Sequence, residues 1–197
     1  MQSQSFSIKV KSKIKPFKKI IQVDADKSLS IRSFLIGSIC QDISIANNVL
    51  ESEDVKSTIQ ACKKLGVKIA RLKTGSYKIF GKGLGSLYAK KNLTIDCGNS
   101  GTLGRLLIGI LATTPNIEIN LTGDESLKKR SMKKLFNLMS EFGATFLPKG
   151  KYNFPIKLIS SEMPIGINYQ SGVSAQLKSA VLLAGLNSYG ITKIFER

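Results

Sequence analysis

Asp96-Cys97-Gly98-Asn99-Ser100-Gly101-Thr102-Leu103-Gly104-Arg105-Leu106-Leu107 is the stretch on which the reading of this 197-residue chain turns. A β-prone run, Leu93-Thr94-Ile95, leads into it, and an apolar run follows from Leu106. That order predicts strand, tight turn, helix. Gly98 and Gly101 open backbone angles closed to other residues and let a ligand approach the main chain. Ser100 and Thr102 offer a capping hydroxyl, and Arg105 falls about one turn into the helix. Free N–H groups, the positive end of a helix dipole and a guanidinium together suit an anion. An unliganded strand-to-helix turn would use the same residues, so the corner alone does not decide.

Repetition shifts the balance. Arg105 stands 73 residues after Arg32 and 73 before Lys178. Each cation follows a Ser-bearing segment: Lys27-Ser28-Leu29-Ser30-Ile31, Asn99-Ser100-Gly101-Thr102, and Ser171-Gly172-Val173-Ser174-Ala175-Gln176. Leu35, Ile108 and Val181 fall in register beyond them. A second helical pattern repeats at 77 residues: Val55, Ile59, Cys62 and Leu65 match Met132, Phe136, Met139 and Phe142. Both stop at a glycine, Gly66 and Gly143, placed for a left-handed cap. A fixed period marks a repeated architecture. The expected fold is α/β, built of β-α-β-α-β-β units at about 23–88, 89–160 and 161–197, the third incomplete.

Composition bounds the class. A hydrophobic content of 42% supports a real core, and no run is long enough for a membrane span. The formal charge of +17 raises nucleic acid or an acidic membrane as partners. However, 25 of the 30 cations are Lys scattered along the chain, aromatic residues are few, and three of the five Arg sit in the Ser/Gly-rich segments. An anionic small molecule is therefore the expected ligand, with neither nucleic acid nor membrane as partner. Cys40, Cys62 and Cys97 lack metal-ligand spacing, so no metal site is expected; their odd number and the absence of a signal sequence predict a reducing cytoplasm. The first 22 residues carry six Lys and no acid, as organelle transit peptides do, but contain no Arg. Phe6-Ser7-Ile8-Lys9-Val10 alternates like a strand, and a structured start is expected.

Along the chain, a strand is predicted over 18–23, helices near 28–39 and after Ser52-Glu53-Asp54, and strands at Val67-Lys68-Ile69 and Tyr77-Lys78-Ile79-Phe80. Gly81–Gly85 reads as a flexible link. The acids and Lys residues of 124–134 fit ordinary helix-terminus patterning and a solvated face, whereas Arg130 flanks the loop. Unit three opens at 165–169, continues with a helix over 177–186, and ends on a strand over 191–195.

At these residues a resemblance becomes specific. Gly98-Asn99-Ser100-Gly101-Thr102 with Arg105 resembles the signature of the 5-enolpyruvylshikimate-3-phosphate synthase family. Lys27-Ser28 with Arg32 is similar to its K-S-x-S-x-R segment, and Gly123-Asp124 with Ser126-Leu127 and Arg130 to its G-D-x-S-L-x-x-R-P-M segment. Residues 174–186 resemble its third motif almost unbroken. Departures are Asp24-Ala25-Asp26 for a Pro-Gly turn, Ile31 at an often polar position, Ser131 for proline, and Leu103-Gly104.

The resemblance implies the enolpyruvyl transferase fold: two lobes of three units each, of which this chain is one. It implies that residues 1–22 pack partly with the missing lobe. The implied activity moves the carboxyvinyl group of phosphoenolpyruvate to shikimate 3-phosphate, in the shikimate pathway of aromatic amino acid and chorismate synthesis, with no cofactor. Lys27, as the catalytic residue, would lie between both substrates. Ser28, Arg32, Ser174, Ala175 and Gln176 would hold shikimate 3-phosphate, Arg32 through its carboxylate and Ala175 only through its backbone. Asn99, Gly101, Arg130 and Gln176 would line the phosphoenolpyruvate pocket, and Arg105 would serve the turn itself. The proton donor and base, and further cations, would come from the second lobe, in cis or in trans. The isolated chain is therefore expected to be inactive, and the full-length protein a monomer. Related UDP-N-acetylglucosamine carboxyvinyl transferases share the fold but not these motifs and are the alternative enzyme reading; a non-catalytic module binding anions or nucleic acid is the alternative of another class.

Overall fold

The computed structural model describes residues 23–196 continuously, with Ser7, Lys9, Lys11, Pro16, Lys18, Ile20 and Ile21 before them. The strand expected over 6–10 therefore lies mostly outside the described residues. Of the strand expected over 18–23, the described residues carry no strand assignment.

Unit one runs α1 (Lys27–Ile39), β1 (Ile43–Ala46), α2 (Glu53–Lys64), β2 (Lys68–Lys73), β3 (Ser76–Phe80). Unit two runs β4 (Thr94–Asp96), α3 (Gly101–Ala112), β5 (Glu118–Thr122), the short α4 (Glu125–Lys128), α5 (Lys133–Glu141), β6 (Thr145–Leu147), β7 (Ile156–Ile159). Unit three has β8 (Asn168–Gln170), α6 (Ala175–Gly185) and β9 (Lys193–Phe195). Each unit keeps its own sheet: β1-β3-β2, β4-β5-β7-β6, and β8-β9. The first sheet matches the last three strands of the second, and the third matches the parallel β4-β5 pair. Pairing at either end of each repeat thus follows one plan.

The buried faces of α1, α3 and α6 keep the 73-residue period. Phe34, Leu107 and Ala180 are buried, as are Leu35, Ile108 and Val181, and Ser38, Leu111 and Ala184. The caps do not keep it: Asp26, Ser100 and Ser174 are spaced by 74. Each helix therefore starts one residue later relative to its core face, and the cation of each unit moves one residue nearer its helix start. Gly66 and Gly143 end the α2 and α5 segments at φ 87° and 96°, a region open to glycine.

The three inner helices form the core, with α3 at its centre. All α3 residues except Arg105 are buried. Gly109 makes that possible, because a β-carbon there would stand 2.5 Å from the Ala180 carbonyl oxygen on α6. Gly104, unusual for the resembled signature, leaves room for the Phe154 ring, which would lie 3.2 Å from its β-carbon. Thr113 Oγ1 donates to the Ala184 carbonyl at 3.1 Å and ties the far ends of the same two helices.

One expectation fails. Gly81–Gly85 is not a free link: the N–H groups of Gly81, Lys82 and Gly83 donate to the carbonyls of Asp42, Ser38 and Cys40. Gly81 packs so closely that a β-carbon would sit 2.1 Å from the Cys40 oxygen. The patterning from 124 to 142 divides between two helices. The Arg130 N–H closes on the Leu127 carbonyl and the Met132 N–H donates to Tyr152, so the chain breaks between α4 and α5 and leaves Arg130 in the gap. On unit three, Leu182, Leu186, Ile191 and Phe195 are exposed.

Gly109→Ala should lower the urea midpoint. Overpacking against Ala180 costs about 1–3 kcal/mol, which exceeds the gain of about 1 kcal/mol in helix propensity. A second expectation concerns Glu51, whose carboxylate accepts from Arg71 (2.9 and 2.7 Å), the Gly75 N–H (3.0 Å) and the Tyr77 hydroxyl (2.7 Å). The Arg71 hydrogen bonds, then those of Gly75 and Tyr77, lower its pKa from 4.5 to about 2. The folded value lies below the unfolded one, so its contribution is complete above about pH 4.5 and lost as pH falls towards about 2. Acid unfolding of Glu51→Gln, followed by circular dichroism, should have a shallower pH dependence across that window.

Candidate functional site

The corner quoted at the outset forms because Asp96 Oδ1 accepts the Gly98 N–H at 2.8 Å while Gly98 takes φ 56°. Ser100 Oγ then caps α3 through the Leu103 N–H at 3.2 Å. The first N–H groups of a helix have no carbonyl partner inside it, so those of Gly101 and Thr102 head the buried helix. The Asp124 N–H donates to the Gly98 carbonyl at 2.9 Å, which lays the loop after β5 against the corner. These loops leave the carboxyl ends of two parallel strands, where α/β proteins commonly hold ligands.

The cations meet at this corner. A β-carbon on Gly101 would lie 2.6 Å from Arg105 Nη1 and 3.1 Å from Arg130 Nη1. Arg105 Nη1 donates to Gln176 Oε1 at 2.7 Å and to the Gly101 carbonyl at 3.3 Å. Gln176 Nε2 donates to Thr102 Oγ1 at 3.0 Å, so its amide joins α6 to α3 and keeps one N–H to spare. Burial, then the neighbouring Arg130 charge, moves Arg105 below the usual guanidinium range. No carboxylate among the described residues forms an ion pair with Arg105, so the corner holds positive charge without its counterion.

Arg32 Nη2 reaches Ser179 Oγ on α6 at 3.3 Å, and its Nη1 donates to the Ser28 carbonyl at 3.3 Å. Lys27 Nζ pairs with Asp54 at 3.0 Å on the first turn of α2. From the same turn, Ser57 Oγ comes within 3.0 Å of a β-carbon on Gly98. Arg130 Nη2 donates to Asn99 Oδ1 at 2.9 Å and to Ser126 Oγ at 3.3 Å. Asn99, Arg130, Arg105 and Gln176 are thus gathered around Gly101, while Lys27 is held to α2 and Arg32 to α6. Ser174 accepts the Leu177 N–H at 3.4 Å as the cap of α6, which leaves its own O–H free to donate. Among the described residues the Ser28 hydroxyl makes no hydrogen bond and Ala175 has only a methyl group; the two lie on the first turns of α1 and α6.

Lys178 pairs instead with Glu196 beyond β9. The three period-related cations thus take different partners: Ser179 for Arg32, Gln176 for Arg105 and Glu196 for Lys178. A hollow of about 460 Å³ opens beside it, with Arg105, Ser174, Gln176 and Lys134 in its wall. A larger hollow of about 870 Å³ runs outward between α5 and β8 and shares Ser174 and Lys134. The smaller one is lined by Arg105 and Gln176 and is the better match to an anion. Asp26 caps α1 through the Leu29 N–H at 2.6 Å, so the departure before Lys27 supplies what that helix start needs.

Sequence reasoning gave no site role to Asp54, Asp124 or Ser179. Asp54 had a signal, as an acid in a first helical turn, but dipole compensation accounted for it fully. Among the described residues no cluster of metal-binding side chains occurs, and no helix is long and apolar enough to cross a membrane.

The family description that matches this chain is EPSP synthase (3-phosphoshikimate 1-carboxyvinyltransferase), over residues 11–197. The 3-phosphoshikimate 1-carboxyvinyltransferase of Paramagnetospirillum magneticum is 38% identical over 176 residues, covering 89% of this chain and 39% of that protein. That of Desulforamulus reducens is 40% identical over 187 residues, covering 93% and 43%. The solved EPSP synthase of Acinetobacter baumannii superposes with a TM-score of 0.82 at 36% identity, over 89% of this chain and 40% of the other. The chain thus spans about two fifths of the length of the relatives it matches. Its corners, its repeated sheets and these likenesses agree: the chain belongs to the EPSP synthase family.

Proposed function

We propose that this chain supplies one substrate-binding lobe for transfer of the carboxyvinyl group of phosphoenolpyruvate to shikimate 3-phosphate. The observation that carries the reading is the pair of guanidiniums sharing the Gly101 corner at the head of a buried helix. Two substrates that each bear a phosphate and a carboxylate repel one another, and such a corner offsets that repulsion. Each dipole contact contributes roughly 0.3–1 kcal/mol, more when partly buried, and charge-assisted hydrogen bonds about twice a neutral one.

In this reading Arg130, Asn99, Gly101 and Gln176 receive phosphoenolpyruvate. Arg32, Ser28, Ser174, Ala175 and Gln176 receive shikimate 3-phosphate, Ser174 through its uncommitted hydroxyl. Lys27 lies between the two substrates, and Asp54 sets where its ammonium stands. The hydroxyl of the sugar acid adds across the enol double bond and phosphate leaves, with positioning and charge stabilisation supplying the rate. The chain has no His, and the proton donor and base are assigned to the second lobe, in cis or in trans. Residues 1–22 are assigned partly to packing with that lobe, the compartment is the cytoplasm, and the assembled protein is a monomer without nucleic acid.

Phosphate release should be undetectable when the purified chain is given both substrates, and should appear when a fragment spanning the remainder of a relative is added. Turnover by the chain alone would overturn the reading. Gly101→Ala should weaken phosphoenolpyruvate binding about tenfold or more, measured by titration calorimetry on the reassembled pair. Its methyl would displace the Nη1 groups of Arg105 and Arg130, while affinity for shikimate 3-phosphate should change less.

A further inference from the structure

Arg130 keeps its charge in the corner without a carboxylate touching it. Asp124 lies close by, yet the two form no direct ion pair, because Asn99 stands between them. Asn99 Nδ2 donates to Asp124 Oδ2 at 2.6 Å, and Asn99 Oδ1 accepts from Arg130 Nη2 at 2.9 Å. A carboxylate only accepts and a guanidinium only donates, so the amide between them can lie one way round and not the other. The carboxylate is itself fixed. Its Oδ1 accepts the Leu127 N–H at 2.7 Å, and its own N–H is held by the Gly98 carbonyl.

We propose that Asp124 is a positioning residue that aims Arg130 through the Asn99 amide; the ligand assigned to Arg130 rests on the function proposed above. Both hydrogen bonds of Arg130 fall on Nη2, to Asn99 and Ser126, which turns Nη1 towards Gly101. A carboxylate in direct contact would hold the guanidinium equally well but would neutralise the charge an anion needs. The interposed amide passes on the orientation and leaves the charge available. One of the two Asn99 Nδ2 hydrogens is not used by the Asp124 contact and is available as a second donor.

Asp124→Asn separates this role from helix capping, because Asn caps as well as Asp. The carboxamide Nδ2 would then face Asn99 Nδ2, the Asn99 amide would turn over, and Arg130 would lose its acceptor. Asn99→Ala cuts the same relay without touching the cap. With only five Arg in the chain, the side-chain Nε–H spectrum of 15N-arginine-labelled protein reports Arg130 directly. Both variants should shift the Arg130 signal and speed its exchange with water while the melting temperature changes little. Combined, they should do no more than Asn99→Ala alone, as expected for residues acting in series. An Arg130 signal unmoved in either variant, or fully additive effects in the double variant, would overturn the proposal; should Asp124→Asn fail to fold, Asp124→Ser, which also caps the helix but is too short to reach Asn99, takes its place. Phosphoenolpyruvate titrated into the reassembled pair should bind about tenfold more weakly to both variants. If Arg130 moves but the parent protein binds no phosphoenolpyruvate, the relay stands and the proposed function falls.

Discussion

Burying α3 from end to end forces the rest of the arrangement. A helix walled in by apolar neighbours can present function only at its ends, and here the amino end opens beside Gly98 and Asn99. Arg105 is its one residue outside full burial, and α6 must come within contact of Gly109 for the walls to close. That approach also brings Gln176 and Ser179 into reach of Arg105 and Arg32. The packing that excludes water from the core is therefore the packing that assembles the charged corner.

The electrostatic economy of the corner is consistent. Among the described residues Lys27 has a carboxylate partner on the next helix, Arg130 has one only at second hand, and Arg105 has none. Around Gly101 the two guanidiniums make no direct ion pair among the described residues, whereas Lys27 keeps Asp54 and Lys178 meets Glu196 towards the periphery. A bound phosphate would complete a charge balance that the folded chain leaves open.

Much of this was legible in residue spacing. Apolar faces at a 73-residue period located the inner helices, because core contacts tolerate only residues of similar character at equivalent places. The glycines closing α2 and α5 were legible for a related reason, since few residues accept those angles. The break before α5 was not, because it depends on Met132 finding a carbonyl on Tyr152, twenty residues along the chain. Nor was the turning of Lys178 towards Glu196, which one-dimensional register cannot distinguish from the behaviour of Arg32. Asp124 and Asp54 went unseen because each already had an adequate local explanation, and only the fold sets a second use beside the first. The pinning of Gly81–Gly85 shows the converse: glycine here marks a close approach of backbone, which composition alone reads as looseness.

The contact between Gly104 and Phe154 has an evolutionary side. A ring laid over a bare stretch of helix ties two positions fifty residues apart into one volume. Relatives with a larger side chain where this chain has Gly104 must give up space opposite, so the two sites should vary as a pair across the family. A lineage crossing between the two solutions passes through an intermediate that is either crowded or hollow, which would make this exchange slow and its traces old.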